Sequence, residues 1–173
     1  ITGANGMLGG SLCRIFMDEN KVYALHRDKN ALSECTYDFN VDLSNKEKTK
    51  RIFKKINPEL VIHCAGLINL DLCEKKPDLA HEMNVKMTKN IIEACADNTK
   101  FIYISSDQVY GNTTNRFESN TELSPINTYG KTKYLGEQLV IKNCSNYIIV
   151  RTNIFGWNVK SDRISSAEWI YQS

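Results

Sequence analysis

The sequence predicts an α/β fold in which helices cover both faces of a doubly wound parallel sheet. Short apolar runs alternate with longer helical patterns along the chain, and this alternation is typical of parallel strands joined by helices. The run at residues 60–64 is apolar almost throughout, as a strand buried on both faces requires. With 173 residues, the chain is long enough for one domain with a proper core.

Six strands are predicted, and the first consists of the β-forming residues Ile1 and Thr2 that open the chain. It leads directly into a glycine-rich turn. Each of the later strands is a short run bounded by polar or turn-forming segments. These strands cover residues 22–25, 37–43, 60–64, 101–104 and 147–150.

Helices are predicted in the connections between these strands. The second helix has the clearest start, because Ser44 as N-cap and Glu47 three residues later form a capping box. It runs to Ile56 and ends at Asn57-Pro58, since a residue before proline disfavours the helical conformation. Pro77 lies near the first turn of the third helix, where proline is tolerated. The predicted helices cover residues 11–17, 44–56 and about 78–97, and a fourth follows the polar loop at 111–125.

Glycines at positions 3, 6 and 9 separate the first strand from the first helix. Because glycine has no Cβ, such a turn lets the backbone approach a pyrophosphate at the positive end of the following helix. The spacing G-x-x-G-x-x-G differs from the G-x-G-x-x-G of the general dinucleotide fingerprint, and a glycine-rich turn without a ligand is the alternative. In combination with a tyrosine–lysine pair further along the chain, the turn predicts a dinucleotide site.

That pair is Tyr129 and Lys133, four residues apart on the fourth predicted helix. This spacing places both side chains on one face, about one turn from each other. An ammonium group beside a phenol favours the phenolate, so we expect Lys133 to lower the pKa of Tyr129 from about 10. Ser106 follows the fifth strand at its carboxyl end, where doubly wound sheets bind ligands. Its hydroxyl would hold a carbonyl oxygen against the phenol, which predicts proton transfer in carbonyl and alcohol chemistry.

Composition argues against several other classes of protein. The formal net charge of +2 gives no basis for binding a nucleic acid polymer or an anionic membrane, and no apolar run approaches the roughly 20 residues that cross a bilayer. The six cysteines include no C-x-x-C pair, and several lie within apolar runs. We therefore expect reduced thiols, a cytoplasmic location and no metal site. Because the chain opens inside its first strand and without methionine, we expect residues to precede it.

The glycine turn, Ser106 and Tyr129-x-x-x-Lys133 together resemble the extended short-chain dehydrogenase/reductase superfamily, whose fold is a Rossmann-type sheet. Within that superfamily, three further stretches resemble the dTDP-4-dehydrorhamnose reductase family and its sugar-nucleotide reductase relatives. The likeness extends from residue 1 to about residue 157. The three stretches are Asp42-Leu43-Ser44-Asn45, residues 57–66 and residues 127–137.

This resemblance implies a nicotinamide dinucleotide that lies across the glycine turn. Tyr129 would donate a proton to the substrate oxygen, Lys133 would bind the nicotinamide ribose and lower the tyrosine pKa, and Ser106 would hydrogen-bond the carbonyl group. Ser106 and Asp107 would contact the substrate, unless Asp107 bonds its own loop backbone instead. The implied cofactor ligands are Gly3, Asn5, Gly6, Met7, Leu8, Gly9, His26, Arg27, Asp42, Leu43, Cys64, Ala65, Gly66, Ile104, Tyr129 and Lys133.

Two of these ligands have an alternative role, since Asp42 would also suit a turn cap and Cys64 would also suit core packing. The end of the second strand bears on the choice of cofactor. An acid there usually binds the ribose 2′-hydroxyl, whereas this chain has His26-Arg27. A cation suits a 2′-phosphate, so NADP(H) is preferred, and Asp28 keeps NAD(H) as the alternative.

Two positions narrow the reaction that the resemblance implies. Gln108 stands where sugar-nucleotide 4,6-dehydratases carry a glutamate that acts in the elimination. An amide cannot serve as that base, so a dehydratase is disfavoured. Rhamnose-forming enzymes carry a substrate-contacting tryptophan shortly after the sixth strand, whereas here Ile154 follows Asn153 and Trp157 comes three places later. This departure leaves the identity of the sugar open.

The sequence is therefore interpreted as a cofactor domain at residues 1–157, followed by the beginning of a small substrate domain at residues 158–173. We expect an NAD(P)H-dependent reductase of a nucleotide-linked 4-keto-sugar, with a homodimer as the oligomer to test. One alternative is an NAD-dependent sugar-nucleotide epimerase, which uses the same serine, tyrosine and lysine. The other is a non-catalytic NADP-binding regulatory subunit, since the regulatory subunit of methionine adenosyltransferase is similar in fold.

Overall fold

The computed structural model describes residues 1–27, 37–111 and 121–157, together with residues 167, 170 and 171. Within these ranges β1 pairs in parallel with β2, and β3, β4 and β5 form a second parallel group in that order. The strands are β1 (Tyr23–His26), β2 (Tyr37–Asn40), β3 (Leu60–His63), β4 (Lys100–Ile104) and β5 (Tyr147–Val150).

Thr2 joins the two groups of strands into one sheet. It bridges Leu25 of β1 on one side and His63 of β3 on the other, and its amide donates to the carbonyl oxygen of Ile62 over 3.0 Å. The predicted first strand is therefore present as a single bridging residue. Counted with it, the strands follow the order 3-2-1-4-5-6, which is the order of a doubly wound dinucleotide-binding sheet. The predicted fold class is confirmed.

Helices fill the connections between the strands and bury their apolar residues against the sheet. A π-helical turn, Glu82–Lys86, joins the fourth helix to the fifth. The larger core cluster includes Phe53, Ile91, Phe101, Tyr103 and Val140, all almost fully buried. The helices are α1 (Met7–Phe16), α2 (Lys46–Ile56), α3 (Leu70–Lys75), α4 (Pro77–His81), α5 (Met87–Ala94) and α6 (Thr128–Asn143).

The predicted capping box of α2 is wrong. Asn45 is the N-cap, and its side chain accepts from the Lys48 amide over 3.0 Å. Ser44 instead donates its hydroxyl to Asp42 Oδ1 over 2.8 Å, and its amide donates to the same oxygen over 3.0 Å. Asp42 therefore caps a turn that ends at Ser44. Because Ser44 bonds to Asp42, it does not cap the helix as the pattern predicted.

Some element boundaries also differ from the predictions. α1 starts at Met7, four residues before the predicted start, because the last glycines of the turn already lie in the helix. The helix predicted at 78–97 consists of α4, the π-helical turn and α5, and it ends at Ala94. α3 was not predicted, since its six residues are too few to show a helical period.

Candidate active site

One cleft of about 700 Å³ lies where the strands end at their carboxyl side. Its lining contains every residue that the sequence assigned to catalysis, cofactor or substrate. The structure therefore brings together segments that are up to 130 residues apart in the chain. These residues are Gly3, Asn5, Gly6, Met7, Leu8, Gly9, His26, Arg27, Asp42, Leu43, Cys64, Ala65, Gly66, Ile104, Ser106, Asp107, Tyr129 and Lys133.

The glycine turn forms one end of this cleft. Gly3 has a φ of +67°, and a Cβ there would lie 2.8 Å from the Ala65 amide nitrogen, so the turn tolerates only glycine at this position. A Cβ on Gly9 would overlap the Gly3 carbonyl oxygen. The N-cap of α1 is Gly6, which offers no side-chain cap, and the first turn contains no acidic residue. The first amides of α1 are therefore available to an anion such as a pyrophosphate.

Ser105 gives a second indication that a polar ligand fits the cleft. Its side chain lines the cleft but is 4% exposed. Its hydroxyl has no hydrogen-bond partner among the described residues, although buried polar groups in proteins are nearly always paired. Together with the open end of α1, this hydroxyl shows that the residues present fit a dinucleotide.

Ser106, at the end of β4, is held by its immediate neighbours. Its hydroxyl donates to Asp107 Oδ1 over 3.0 Å and accepts from the Gln108 amide over 3.2 Å. The proton expected to polarise a substrate carbonyl is thus directed at Asp107 here. A hydroxyl rotates readily, so a carbonyl oxygen that enters the cleft can replace the carboxylate as its acceptor.

Tyr129 is half-buried and Lys133 is buried on α6, and both line the cleft. The ammonium nitrogen of Lys133 lies 4.2 Å from the centroid of the Tyr103 ring, in the range of a cation–π contact. Burial lowers the pKa of Lys133 to about 8, while Cys64 and Glu137 act in the opposite direction. Lys133 therefore remains largely protonated near neutral pH.

The expected lowering of the Tyr129 pKa is wrong. Burial raises this pKa above 10, and hydrogen bonding to Ser106 offsets only part of that rise. Cys73, when ionised, and the carboxylate of Asp107 act in the same direction as burial. Burial has the largest effect because it removes water from the phenolate, and Lys133 is not among the groups that shift this pKa. The phenol is consequently protonated near neutral pH, as a proton donor must be.

The two basic residues predicted at the end of β1 lie in different environments. His26 is buried and its Nε2 lies 2.6 Å from Asp38 Oδ1 on the neighbouring strand β2. Arg27 is exposed, with Nη1 3.8 Å from the sulfur of Met83. Asp42 lines the cleft and also caps its own turn, so one carboxylate has both of the roles that the sequence left open. Asp28 lies outside the described residues.

Three contacts that sequence reasoning missed hold α6, the helix of Tyr129 and Lys133, and two of them are buried or partly buried. Asn84, in the π-helical turn, accepts from the Leu67 amide over 2.7 Å and donates to Thr132 Oγ1 over 2.9 Å. This residue ties the loop after β3 to the position next to Lys133. The sequence at residues 82–86 gives no clear signal for this role of Asn84, because its partner Thr132 lies 48 residues away in the chain.

The other two contacts involve carboxylates. Glu74 of α3 accepts from the Thr128 amide over 2.6 Å and from its hydroxyl over 2.9 Å, one residue before Tyr129. Glu137 is completely buried and binds the guanidinium of Arg151 through Nε at 3.0 Å and Nη2 at 2.9 Å. A glutamate on the inner face of a helix and an arginine directly after a strand are the signals that were available for this pair.

The comparison with known protein families agrees with this geometry. A family model described as RmlD substrate binding domain matches residues 1–160, which include the whole sheet and the cleft. The chain belongs to the RmlD substrate binding domain family. The resemblance to dTDP-4-dehydrorhamnose reductases and the extended short-chain superfamily is thereby confirmed.

Relatives of this RmlD-family chain carry more than one name. Methionine adenosyltransferase 2 subunit beta of Rattus norvegicus is 33% identical over 153 residues, which are 87% of this chain and 45% of that protein. dTDP-4-dehydrorhamnose reductase of Bacillus anthracis, solved in complex with NADP, has a TM-score of 0.70 at 32% identity, with 87% of this chain and 51% of that chain covered. The chain thus spans about half the length of these relatives.

The fold is shared more widely than the family. The UDP-Glc/GlcNAc 4-epimerase of Campylobacter jejuni has a TM-score of 0.79 at 24% identity, with 87% of this chain and 51% of that chain covered. This likeness shows the fold alone. Within the described ranges, no helix has the length and apolarity needed to cross a membrane, and no group of three or more His, Cys, Asp or Glu residues could hold a metal ion.

Proposed function

We propose that this chain is the cofactor-binding part of a reductase that acts on a nucleotide-linked 4-keto-sugar. The observation that carries the proposal is the convergence of Ser106, Tyr129 and Lys133 with the glycine turn in one cleft. The 32% identity to a dTDP-4-dehydrorhamnose reductase solved with NADP supports the reaction and a nicotinamide cofactor. We assign residues 1–157 to this cofactor domain and residues 158–173 to the start of the substrate region.

In this proposal the cofactor, when bound, supplies the hydride, and the protein supplies position and a proton. Tyr129 donates its proton to the carbonyl oxygen of the sugar, since its raised pKa keeps the phenol protonated. Lys133 would hold the nicotinamide ribose, and its positive charge would favour the phenolate as it forms. Ser106 turns its hydroxyl from Asp107 to the carbonyl and holds the oxygen in place.

We further propose that NADP(H) is preferred over NAD(H). His26 is committed to Asp38, which leaves the exposed guanidinium of Arg27 as the cation next to a 2′-phosphate at the end of β1. Titration of the full-length protein with NADPH and NADH tests the preference. Arg27→Ala should weaken the binding of NADPH and leave the affinity for NADH unchanged. Equal losses of affinity for both cofactors would reject this role of Arg27.

A cytoplasmic location and a homodimer are the remaining parts of the proposal. Five cysteines, all within the described ranges, are free and none is exposed, in keeping with a reducing compartment. Fractionation of the source cells tests the location. Analytical ultracentrifugation of the full-length protein tests the dimer, because it measures the mass of the assembly in solution.

The reductase assignment is tested by offering the full-length protein NADPH and a panel of nucleotide keto-sugars while the NADPH absorbance is followed. Oxidation that depends on a keto-sugar supports the proposal. Tightly retained NAD after purification, with interconversion of sugar epimers, would indicate an epimerase instead.

A regulatory subunit is the second candidate, because of the 33% identity to methionine adenosyltransferase 2 subunit beta. The arrangement of Ser106, Tyr129 and Lys133 argues against it, since a pure binding module has no physical need for a proton donor and its partners. NADPH binding without oxidation by any keto-sugar in the panel would favour this candidate over the reductase.

A further inference from the structure

The side-chain amide of Gln108 has an orientation that a backbone group determines. The Gly130 amide, in the first turn of α6, donates to Asn127 Oδ1 over 2.7 Å. Because a backbone N–H can only donate, the atom of Asn127 that it meets must be the oxygen. Asn127 therefore turns its Nδ2 toward Gln108, 2.8 Å from Oε1. The acceptor end of Gln108 is consequently occupied.

The donor end of Gln108 remains for a ligand. Among the described residues, no hydrogen bond from Gln108 Nε2 is recorded, while Oε1 has its partner. Gln108 is half-buried and lines the cleft with Ser106, Asp107 and Tyr129. An amide N–H₂ in such a position is costly to leave unpaired when substrate removes the water around it.

The backbone of Gln108 is also fixed relative to the catalytic helix. A Cβ at position 130 would overlap the Gln108 carbonyl oxygen, so the absence of a side chain at Gly130 lets residues 107–109 pack directly on the first turn of α6. Tyr129 is the neighbour of that glycine. Close packing thus fixes the backbone of Gln108 relative to the first turn of α6, which carries Tyr129.

We infer that Gln108 is a specificity-determining residue of the substrate site. Its Nε2 donates a hydrogen bond to an oxygen substituent on a ring carbon of the sugar next to the reacting carbonyl. This inference rests on the proposed reductase function. Asp107 contributes a carboxylate acceptor directly before it in the chain. The two side chains together offer a donor and an acceptor, which suits a sugar with oxygens on neighbouring carbons.

Two substitutions separate donation to substrate from structural support. Gln108→Glu keeps an oxygen for Asn127 Nδ2 but replaces the donor with a second oxygen and a negative charge beside Asp107. Gln108→Met keeps the length of the side chain and removes both polar ends. If Gln108 only positioned Asn127, then Gln108→Glu would be harmless and Gln108→Met would lower stability.

The test uses the full-length protein with NADPH and dTDP-4-dehydrorhamnose as the probe. We expect both variants to lose about tenfold or more in kcat/KM near pH 8, since each loses one buried donor. For Gln108→Glu, the loss of kcat/KM relative to wild type should become smaller as the pH falls toward about 5. At that pH part of the new carboxyl group is protonated, and a protonated carboxyl group donates a hydrogen bond. The loss for Gln108→Met should not change with pH. NADPH affinity should stay near wild type for both variants. Tm should stay near wild type for Gln108→Glu and fall for Gln108→Met, which also loses the acceptor of Asn127 Nδ2.

A ratio for Gln108→Glu that is independent of pH, or wild-type kcat/KM for Gln108→Met, would overturn the inference. Failure of the reductase proposal gives a different result, since the wild type itself would then not oxidise NADPH with this probe. In that case calorimetric titration with dTDP-rhamnose decides the question. Binding that is about tenfold weaker for Gln108→Met supports the donor role, and equal or absent binding by both proteins rejects it.

Discussion

Gly136→Ala should destabilise the protein, although alanine is the better helix former. The hydroxyl of Tyr103, on strand β4, packs against α6 at this glycine. A Cβ at position 136 would overlap that hydroxyl and lie 2.7 Å from Cζ of the same ring. The same ring lies against Lys133, whose nitrogen is 4.2 Å from the ring centroid.

Two opposing effects set the magnitude. Alanine gains about 1 kcal/mol over glycine in a helix interior, whereas overpacking a well-packed core costs about 1–3 kcal/mol. The Cζ contact alone falls short of ordinary van der Waals contact, which begins at 3.4 Å, by about 0.7 Å. Tyr103 is completely buried, so neither the ring nor the helix can yield freely. The overpacking cost should then lie at about 2–3 kcal/mol, so we expect a net loss of about 1–2 kcal/mol in the free energy of unfolding.

Urea denaturation of the full-length protein measures this loss. The control is Gln138→Ala on the exposed face of the same helix, which should change the free energy of unfolding by less than about 0.5 kcal/mol. Removing the hydroxyl with Tyr103→Phe should relieve part of the clash, so the two substitutions should couple by about 1 kcal/mol in a double-mutant cycle. If Gly136→Ala matched or exceeded wild-type stability, the close contact between Tyr103 and position 136 would not exist as described.

Two further substitutions test the supports of α6. Glu137→Gln leaves the Arg151 guanidinium without its buried carboxylate, so the free energy of unfolding in urea should fall by about 3 kcal/mol; a change below about 1 kcal/mol would contradict this role. The pKa of Glu74 is lowered by hydrogen bonds from the Thr128 amide and hydroxyl, so its contribution to stability is present above the unfolded-state pKa of about 4.3 and is lost as the pH falls through the lower folded-state pKa. The Tm difference between wild type and Glu74→Gln should therefore be present near neutral pH and disappear in acid, and a difference that is constant with pH would rule out the carboxylate as its cause.

Local sequence signals were sufficient for most of the fold. The strands were found because each apolar run is short and bounded by turn residues, as at 60–63 and 101–104. The cap of α2 was misassigned because Ser44 and Asn45 are both good N-caps, and the decision came from Asp42, whose side chain takes Ser44. A pattern cannot show which of two adjacent polar residues another side chain will engage.

The candidate site was predictable where it follows from chain order and was missed where it depends on packing. The carboxyl ends of parallel strands meet at one edge of the sheet, so Gly3 and Ser106 could be placed together from the sequence. The direction in which the pKa of Tyr129 shifts could not be predicted from the sequence, because burial depends on the surrounding fold. The contacts of Glu74 and Asn84 with α6 join residues 48 to 54 positions apart, and no local period encodes such pairings.

The central claim is that Tyr129 is a proton donor beside a bound nicotinamide cofactor. Tyr129→Phe in the full-length protein tests it most directly, because this substitution removes one oxygen and keeps the ring. We expect kcat with a nucleotide keto-sugar to fall by about 10²–10⁴-fold, while the Kd for NADPH changes by less than about twofold. Parallel losses in turnover and cofactor affinity would show that the tyrosine is structural, and unchanged turnover would show that another group supplies the proton.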